Sequence, residues 1–351
     1  MFKDIHLQNF RSYKNAKFEF SPDVTVISGP NGSGKTNLLE ALYVSSRGTS
    51  FRGTDEDLLR FDSPWWRIDA GFNDETRSIT YDPARQQGKK RFVINELKRQ
   101  RLTSALKLPV VLFEPNDLRL LDGSPSRRRS FIDGFISQFE PAYPTHLHRY
   151  ERALRQRNNL LKYPVHKKDE LFVWDVTLSE QGAYITRKRF EYADLLDSRV
   201  TQQYRSVSKT KDKVQVAYHA HGGQSVKQVQ HWLLTQLDAR YLRDREMGFT
   251  SVGPHRDDVT VMLNGHLAGS HASRGEIRSI VLSLKLVEIN ELIKQADHAP
   301  LLLLDDVFSE LDETRRHALV NHSSPVQTVI TTTNADTLGK RLPKNYASIK
   351  L

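Results

Sequence analysis

The chain has no cysteine, which excludes disulfides, thiol catalysis and cysteine-ligated zinc and fits a reducing compartment. No stretch approaches the ~18 consecutive apolar residues that a membrane-spanning helix needs. The first residues, Met1-Phe2-Lys3-Asp4, begin a polar and apolar alternation instead of the apolar core of a signal peptide. There is no internal repeat and no low-complexity tract. Also missing is a separate cluster of carboxylates or histidines of the kind that cleaves phosphodiesters through metal ions, which argues against a nuclease. Acids are the minority charge: 52 Lys and Arg against 42 Asp and Glu leave a net +10. That surplus suits a polyanionic partner and equally suits a solubilising surface. The expectation is a soluble protein without a membrane role, whose 351 residues make two domains or one large domain with an insertion.

What is present begins with residues 24–42, VTVISGPNGSGKTNLLEAL. A β-branched run (Val24, Val26, Ile27) stops at Gly29. Pro30, Asn31, Gly32, Ser33 and Gly34 follow, and Lys35 and Thr36 open an apolar-periodic stretch through Leu38, Leu39, Ala41 and Leu42. Strand, phosphate loop and helix are expected in that order. Glycines let backbone N–H groups approach phosphate oxygens, Lys35 reaches the β- and γ-phosphates, Thr36 ligates Mg²⁺, and the helix N-terminus adds positive potential. Residues 29–36 are therefore the candidate ATP-binding loop.

Before this loop, residues 2–8 and 16–20 read as a hairpin. Arg11, in the turn between them, either reaches the nucleotide or is an ordinary turn cation, and it is retained as an ATP-binding candidate. After the first helix, residues 66–72, 78–81 and 91–94 read as short antiparallel strands with basic loops. Arg85, Lys89, Lys90, Arg91, Lys98, Arg99 and Arg101 face the single acid Glu96 there, a candidate phosphate-contacting surface or a solvated face. Phe92 and Ile94 share one strand face, so Phe92 is expected in the core instead of stacking on bases. Residues 109–113 read as a buried strand and 114–118 as a turn.

From residue 126 the pattern turns helical, over 126–139, 143–161 and 171–204. In the last, Leu171, Trp174, Leu178, Ile185, Tyr192, Leu196 and Val200 form a seam for packing between helices. The basic run Arg127-Arg128-Arg129 is a second candidate DNA contact. Strands are expected at 214–218 and 259–263 around a helix over 225–241. In Gly253-Pro254-His255-Arg256-Asp257-Asp258 the histidine is expected to make local turn hydrogen bonds instead of binding metal. Further on come a helix over 276–296, a strand over 301–304, a helix over 313–320 and a strand over 328–332.

Leu301 to Leu304 are four aliphatic residues ending in Asp305-Asp306. A wholly apolar strand belongs inside a parallel sheet, with its last acid at the C-terminal edge where a phosphate loop also lies. Asp305 is expected on Mg²⁺ and Asp306 beside the attacking water.

Together these residues resemble the ABC-type ATPases. Ser273-Arg274-Gly275-Glu276 is similar to their signature, Ser309-Glu310-Leu311-Asp312 to their D-loop, and Thr331-Thr332-Thr333 to their switch position. Within that superfamily IHLQNFRSY, FEPNDLRLLDGSPSRRRSFID, REMGFTSVGPHRDD and LLLLDDVFSELD resemble the RecF family of bacterial recombination-repair proteins. The resemblance implies an α/β ABC-type head of the phosphate-loop NTPase class, residues 1–108 and 259–351, with an inserted, mainly helical arm lobe at 109–258. It implies a weak, DNA-stimulated ATPase using ATP and Mg²⁺. An ATP-bound homodimer would place Ser273, Gly275 and Glu276 on the partner's γ-phosphate, grip duplex or gapped DNA, and work with RecO and RecR in loading RecA. Its expected location is the cytoplasm, at the nucleoid. Two departures bear on turnover: the family signature usually reads Ser-Gln-Gly-Gln, and Asp306 stands where most ABC-type heads carry the longer Glu. A structural ATP-gated clamp with incidental hydrolysis is the alternative.

Overall fold

In the computed structural model, which describes residues 1–86, 88–163, 168–223, 225–295, 299–323, 326–333 and 346–351, the first alternating stretch becomes β1 (Phe2–Phe10), paired antiparallel with β2 (Tyr13–Glu19). Phe2, Ile5, Leu7 and Phe10 point inward and are buried, while their neighbours stay wet. β3 (Val24–Ser28) feeds the phosphate loop and α1 (Lys35–Arg47). β4 (Trp66–Phe72), β5 (Thr76–Tyr81), β6 (Lys90–Ile94) and β7 (Leu97–Arg99) complete a six-stranded antiparallel sheet in the order β2-β1-β4-β5-β6-β7. Phe92 is 6% exposed, a core residue as its strand position predicts.

After β8 (Val110–Phe113) come α2 (Pro125–Phe139), α3 (Tyr143–Lys162) and the 41-residue α4 (Lys168–Ser208). At 1.5 Å per residue α4 is about 60 Å long, and its buried seam of Leu171, Leu178, Ile185, Leu196 and Val200 packs between helices. β9 (Val214–His219) follows, and the expected single helix over 225–241 is two, α5 (Val226–Ala239) and α6 (Tyr241–Met247). They break at Arg240, whose φ of −93° and ψ of 6° leave the helical region. β10 (Asp258–Leu263), β11 (His266–Leu267) and the short α7 (Ala268–His271) lead into α8 (Arg274–Gln295). Residue 296, the expected end of α8, lies outside the described residues. β12 (Leu301–Asp305), α9 (Glu313–Ser323), β13 (Thr328–Thr332) and β14 (Ala347–Lys350) close the chain.

The parallel sheet runs β14-β3-β13-β12-β8. Its central strands β12 and β13 are buried at every residue, as their unbroken apolar and β-branched composition requires. The chain divides into two units, residues 1–118 with 285–351, and residues 119–284. Both boundaries therefore differ from 109 and 259. β8 pairs in register with β12, Phe113 opposite Leu304, which ties residues 110–113 to the first unit. β10 pairs with β9, which holds the stretch after 258 in the second. Among the described residues no helix is long and apolar enough to cross a membrane.

Candidate phosphate site

The phosphate loop has the backbone its sequence requires. Gly32 and Gly34 adopt φ of 83° and 104°, and a Cβ on Gly34 would lie 2.9 Å from both Ser12 Oγ and Tyr13 Oη. Tyr13 Oη donates to Gly34 O at 3.1 Å, so the β1–β2 turn buttresses the loop. Lys35, 8% exposed, donates from Nζ to Gly29 O at 2.8 Å and Pro30 O at 2.9 Å. Ser33 Oγ is buried without a hydrogen-bond partner. An orphaned hydroxyl, a buried ammonium and the first turn of α1, whose N–H groups have no intrahelical acceptors, suit a polyphosphate.

Parallel pairing brings the second half of this site to the first. Asp305 lies opposite Thr331 at the C-terminal end of β12, and Thr332 lies opposite Ser28 at the end of β3. Thr36 Oγ1 consequently reaches both carboxylate oxygens of Asp305 at 3.0 Å, across 269 residues of chain, and Thr331 Oγ1 donates to Oδ1 at 2.8 Å. Thr36 and Asp305 are hard oxygen donors of the type that would hold Mg²⁺. Among the described residues no group of three His, Cys, Asp or Glu side chains could hold a metal by itself.

Asp306 follows with φ of 49°, an unusual conformation for a non-glycine residue, and its N–H donates to Thr331 Oγ1 at 2.9 Å. Burial raises its carboxyl above the usual range, Asp305 and Glu310 add to the rise, and Lys35 opposes it. Glu114, directly after β8, reads in the sequence only as the first residue of a turn. Burial, then Asp117 and Asp305, push its carboxyl up to about 7. The sheet order, not any motif, puts it next to β12.

Arg11 has φ of 51°, and its guanidinium grips Glu40 of α1 through Nε and Nη2 at 2.8 and 2.9 Å. Arg52 Nη2 and Ser50 Oγ complete the cluster at 2.8 and 2.6 Å. Burial would raise the Glu40 carboxyl, but bonds from Arg11, Arg52 and Ser50 outweigh it and hold the group below the usual range. Arg11 thereby braces the β1–β2 turn against α1. Glu40, Arg52 and Ser50 have nothing in the sequence to mark them beyond a lone acid on a helix.

In the second unit, Ser273 precedes α8 and is exposed. Its Oγ accepts from Glu276 N–H at 3.3 Å, while Ser273 N–H donates to Glu276 Oε2 at 2.7 Å. This reciprocal capping box closes the first turn of α8, with Glu276 as the reaching-back acid. Gly275 lies between them in the first turn.

The basic candidates separate. Lys89, Arg91, Lys98, Arg99 and Arg101 are exposed. Lys90 is not available: its Nζ donates to Gly48 O at 2.7 Å, pairs with Asp55, and lies over the Trp66 ring. Arg128 is likewise committed, forked onto Asp258 at 2.9 and 2.7 Å, and Arg129 donates to Asp257 O at 2.8 Å. Burial lowers the pKa of Arg129, and Arg127 is also engaged within the fold. The Arg127–Arg129 run therefore braces the second unit, because α2 packs against β10.

His255 makes one local bond, as its turn predicts, and one to distant α3, which the turn does not predict. Nδ1 lies 2.6 Å from Tyr150 Oη and Nε2 lies 3.0 Å from Thr250 O. Burial lowers its pKa to about 4, so the ring is neutral.

The chain matches the RecF/RecN/SMC N terminal domain family over residues 1–348. It is 36% identical over 346 residues to the DNA replication and repair protein RecF of Bacillus cytotoxicus, covering 95% of this chain and 92% of that one. A solved structure of the recombination mediator protein RecF-ATP in the RecFOR pathway is similar with a TM-score of 0.84 and 31% identity, covering 95% of this chain and 92% of that one. The fold is also that of an SMC head bound to the C-winged helix domain of ScpA, with a TM-score of 0.55 at 15% identity, covering 97% and 91%. The α/β head expected from the phosphate loop and the Asp-Asp strand is thus the observed one, and the chain belongs to the RecF family.

Proposed function

We propose that the protein is an ATP-dependent DNA-binding ATPase of recombinational repair and replication restart. Two copies close around two ATP molecules, present basic surfaces to duplex or gapped DNA, and direct RecA loading together with RecO and RecR. Slow, DNA-stimulated hydrolysis reopens the pair. The observation that carries this reading is the meeting of Thr36 with Asp305 at 3.0 Å beside buried Lys35. A relative solved with ATP supports the nucleotide.

Lys35 exchanges its two carbonyl partners for phosphate oxygens, which its ammonium binds more strongly than a neutral acceptor. Thr36 and Asp305 are positioned to hold Mg²⁺. Bound there, the ion would neutralise charge on the phosphate oxygens. Asp306, its carboxyl already raised by burial, orients the attacking water and takes its proton. Ser273 and Gly275 offer a hydroxyl and a helix N-terminus to the γ-phosphate held by the partner copy.

Asp306→Asn tests the enzyme reading: hydrolysis and repair in cells should fall together. Repair that survives without hydrolysis would leave a structural clamp instead. For DNA, removing charge at Lys89, Arg91, Lys98, Arg99 and Arg101 should lower affinity and flatten its salt dependence, by about 0.9 in slope for each phosphate that is no longer neutralised. An unchanged slope would place the DNA on another surface.

A further inference from the structure

The second unit contains a cavity of about 500 Å³ that the phosphate chemistry does not use. It lies between Phe190 of α4, the end of β9, the middle of α5 at Trp232, Arg240 just beyond that helix, and the turn over residues 251–258. Its size is in the range of small-ligand pockets, about 300–1,000 Å³. Three aromatic side chains line it. Phe190 and Tyr218 meet edge to face at 4.9 Å, and Trp232 is half-buried with His221 against it at 5.6 Å. The chain reaches over Trp232 through Gly222 and Gly223, at φ of 105° and 100°, where any Cβ on Gly222 would crowd the indole at 3.2 Å.

Apart from Asp258, whose carboxylate is held by Arg128, the polar groups of the wall fall into two sets. At the mouth are exposed His219, His221 and Arg256, with half-buried Arg240. Arg256 is fixed in place: Nε and Nη2 donate to Thr250 O at 3.2 and 3.1 Å, and its carbon lies 4.6 Å from the Phe249 ring centre. Neither bond uses Nη1. Deeper are an acceptor and an orphan: Asp257 accepts a hydrogen bond from the Tyr218 hydroxyl at 2.5 Å through one oxygen, and Ser251 Oγ is buried without a partner.

Cations outside, aromatic faces in the middle and a carboxylate at depth select a ligand that is anionic at one end and a flat hydrogen-bond donor at the other. An acidic peptide would bring carboxylates toward Asp257. A free triphosphate brings more charge than two guanidinia match. Among the described residues no metal-binding cluster of His and acids forms here. One nucleotide of a strand fits each requirement: a single phosphate for Arg256 and Arg240, a ring to stack on Trp232, and base amino groups for Asp257 and Ser251. A base inside a duplex stack cannot enter a cavity, whereas an unpaired base pays little to do so.

We propose that this cavity takes one unpaired nucleotide of a DNA strand and so distinguishes gapped from intact duplex. The inference rests on the DNA-binding reading above and adds to it a place where the junction is read.

The test uses the full chain with ATP and Mg²⁺, an intact duplex, and a gapped duplex carrying 2-aminopurine as its first unpaired base. Binding should change the 2-aminopurine emission. Trp232→Ala and Arg256→Gln should each weaken gapped-DNA binding about tenfold and leave intact-duplex binding unaltered, which also shows that both variants fold. Trp232→Phe, which keeps a stacking face, should retain most of the preference. If intact duplex binds but emission is unmoved and the gapped-to-intact ratio is the same in all variants, the inference is overturned and the DNA-binding reading survives. If neither DNA binds, that reading fails and the inference falls with it.

Discussion

Arg157 in the second unit and Lys35 in the first are both buried cations held by groups distant in sequence or folded back from the loop, yet their partners differ in kind. Arg157 is fully buried between Asp175 at 2.6 Å and Asp244 at 2.8 Å, and it also donates to Thr250 Oγ1 and Leu237 O. Arg189 repeats the pattern, forked onto Asp133 at 2.8 Å with Pro254 O at 2.6 Å. Lys35 is held by neutral loop carbonyls, while Asp305 at the same sheet edge binds hydroxyls instead. A cation saturated by carboxylates is a strut, because removing either partner strands a buried charge. One held by neutral acceptors can change partner when a stronger anion arrives. The same residue types therefore build scaffold in one unit and a ligand site in the other.

The largest expected effect separates the two most sharply. Arg157→Leu should destabilise the protein by about 3–5 kcal/mol, since Asp175 and Asp244 lose their counter-charge. Denaturant unfolding reads this, and a loss under about 1 kcal/mol, what an exposed pair gives, would make Arg157 no strut. Lys35→Ala should cost about 3 kcal/mol in ATP binding, roughly a hundredfold, with little change in the unfolding midpoint. An equal loss of stability would erase the contrast.

A smaller effect concerns His255. Its folded pKa of about 4 lies below the unfolded value of 6.5, so the unfolded chain takes the proton first as pH falls. Its contribution is complete above the unfolded value and is lost on acidification toward the folded one, by about 2 kcal/mol between about pH 7.5 and pH 5. His255→Gln should flatten that part of the stability curve. Smallest is the α8 cap. Ser273→Ala should cost about 1 kcal/mol of stability, whereas Ser273→Asp keeps a capping oxygen and should cost almost none. If Ser273→Asp nevertheless abolishes ATP-dependent association, the hydroxyl acts on a ligand as well as on its helix.

Local patterns carried much of this structure in the sequence. The loop over 29–36 announces itself because only glycines readily permit its φ values, and β12 does so because four aliphatics followed by two acids have few other places in a parallel sheet. Their meeting is legible too, since both end at one sheet edge. What stayed hidden depends on pairing between distant segments. Lys90 and the Arg127–Arg129 run read as free cations until Asp55, Asp257 and Asp258 arrive from other elements. Glu40 and Glu114 owe their environments to packing that no spacing records. The first unit boundary moved for the same reason, because β8 joins a sheet whose β12 lies far along the chain, whereas the second moved because β10 stays paired with its neighbours β9 and β11.

The central claim is that the site built on Lys35, Thr36 and Asp305 is completed by Ser273 of a second copy. Sedimentation of the full chain with ATP and Mg²⁺, wild type against Ser273→Arg, tests it most directly. The account predicts an ATP-dependent dimer for the wild type, and a Ser273→Arg protein that binds ATP with unchanged affinity but stays monomeric. An unimpaired ATP-induced dimer in the variant would contradict it.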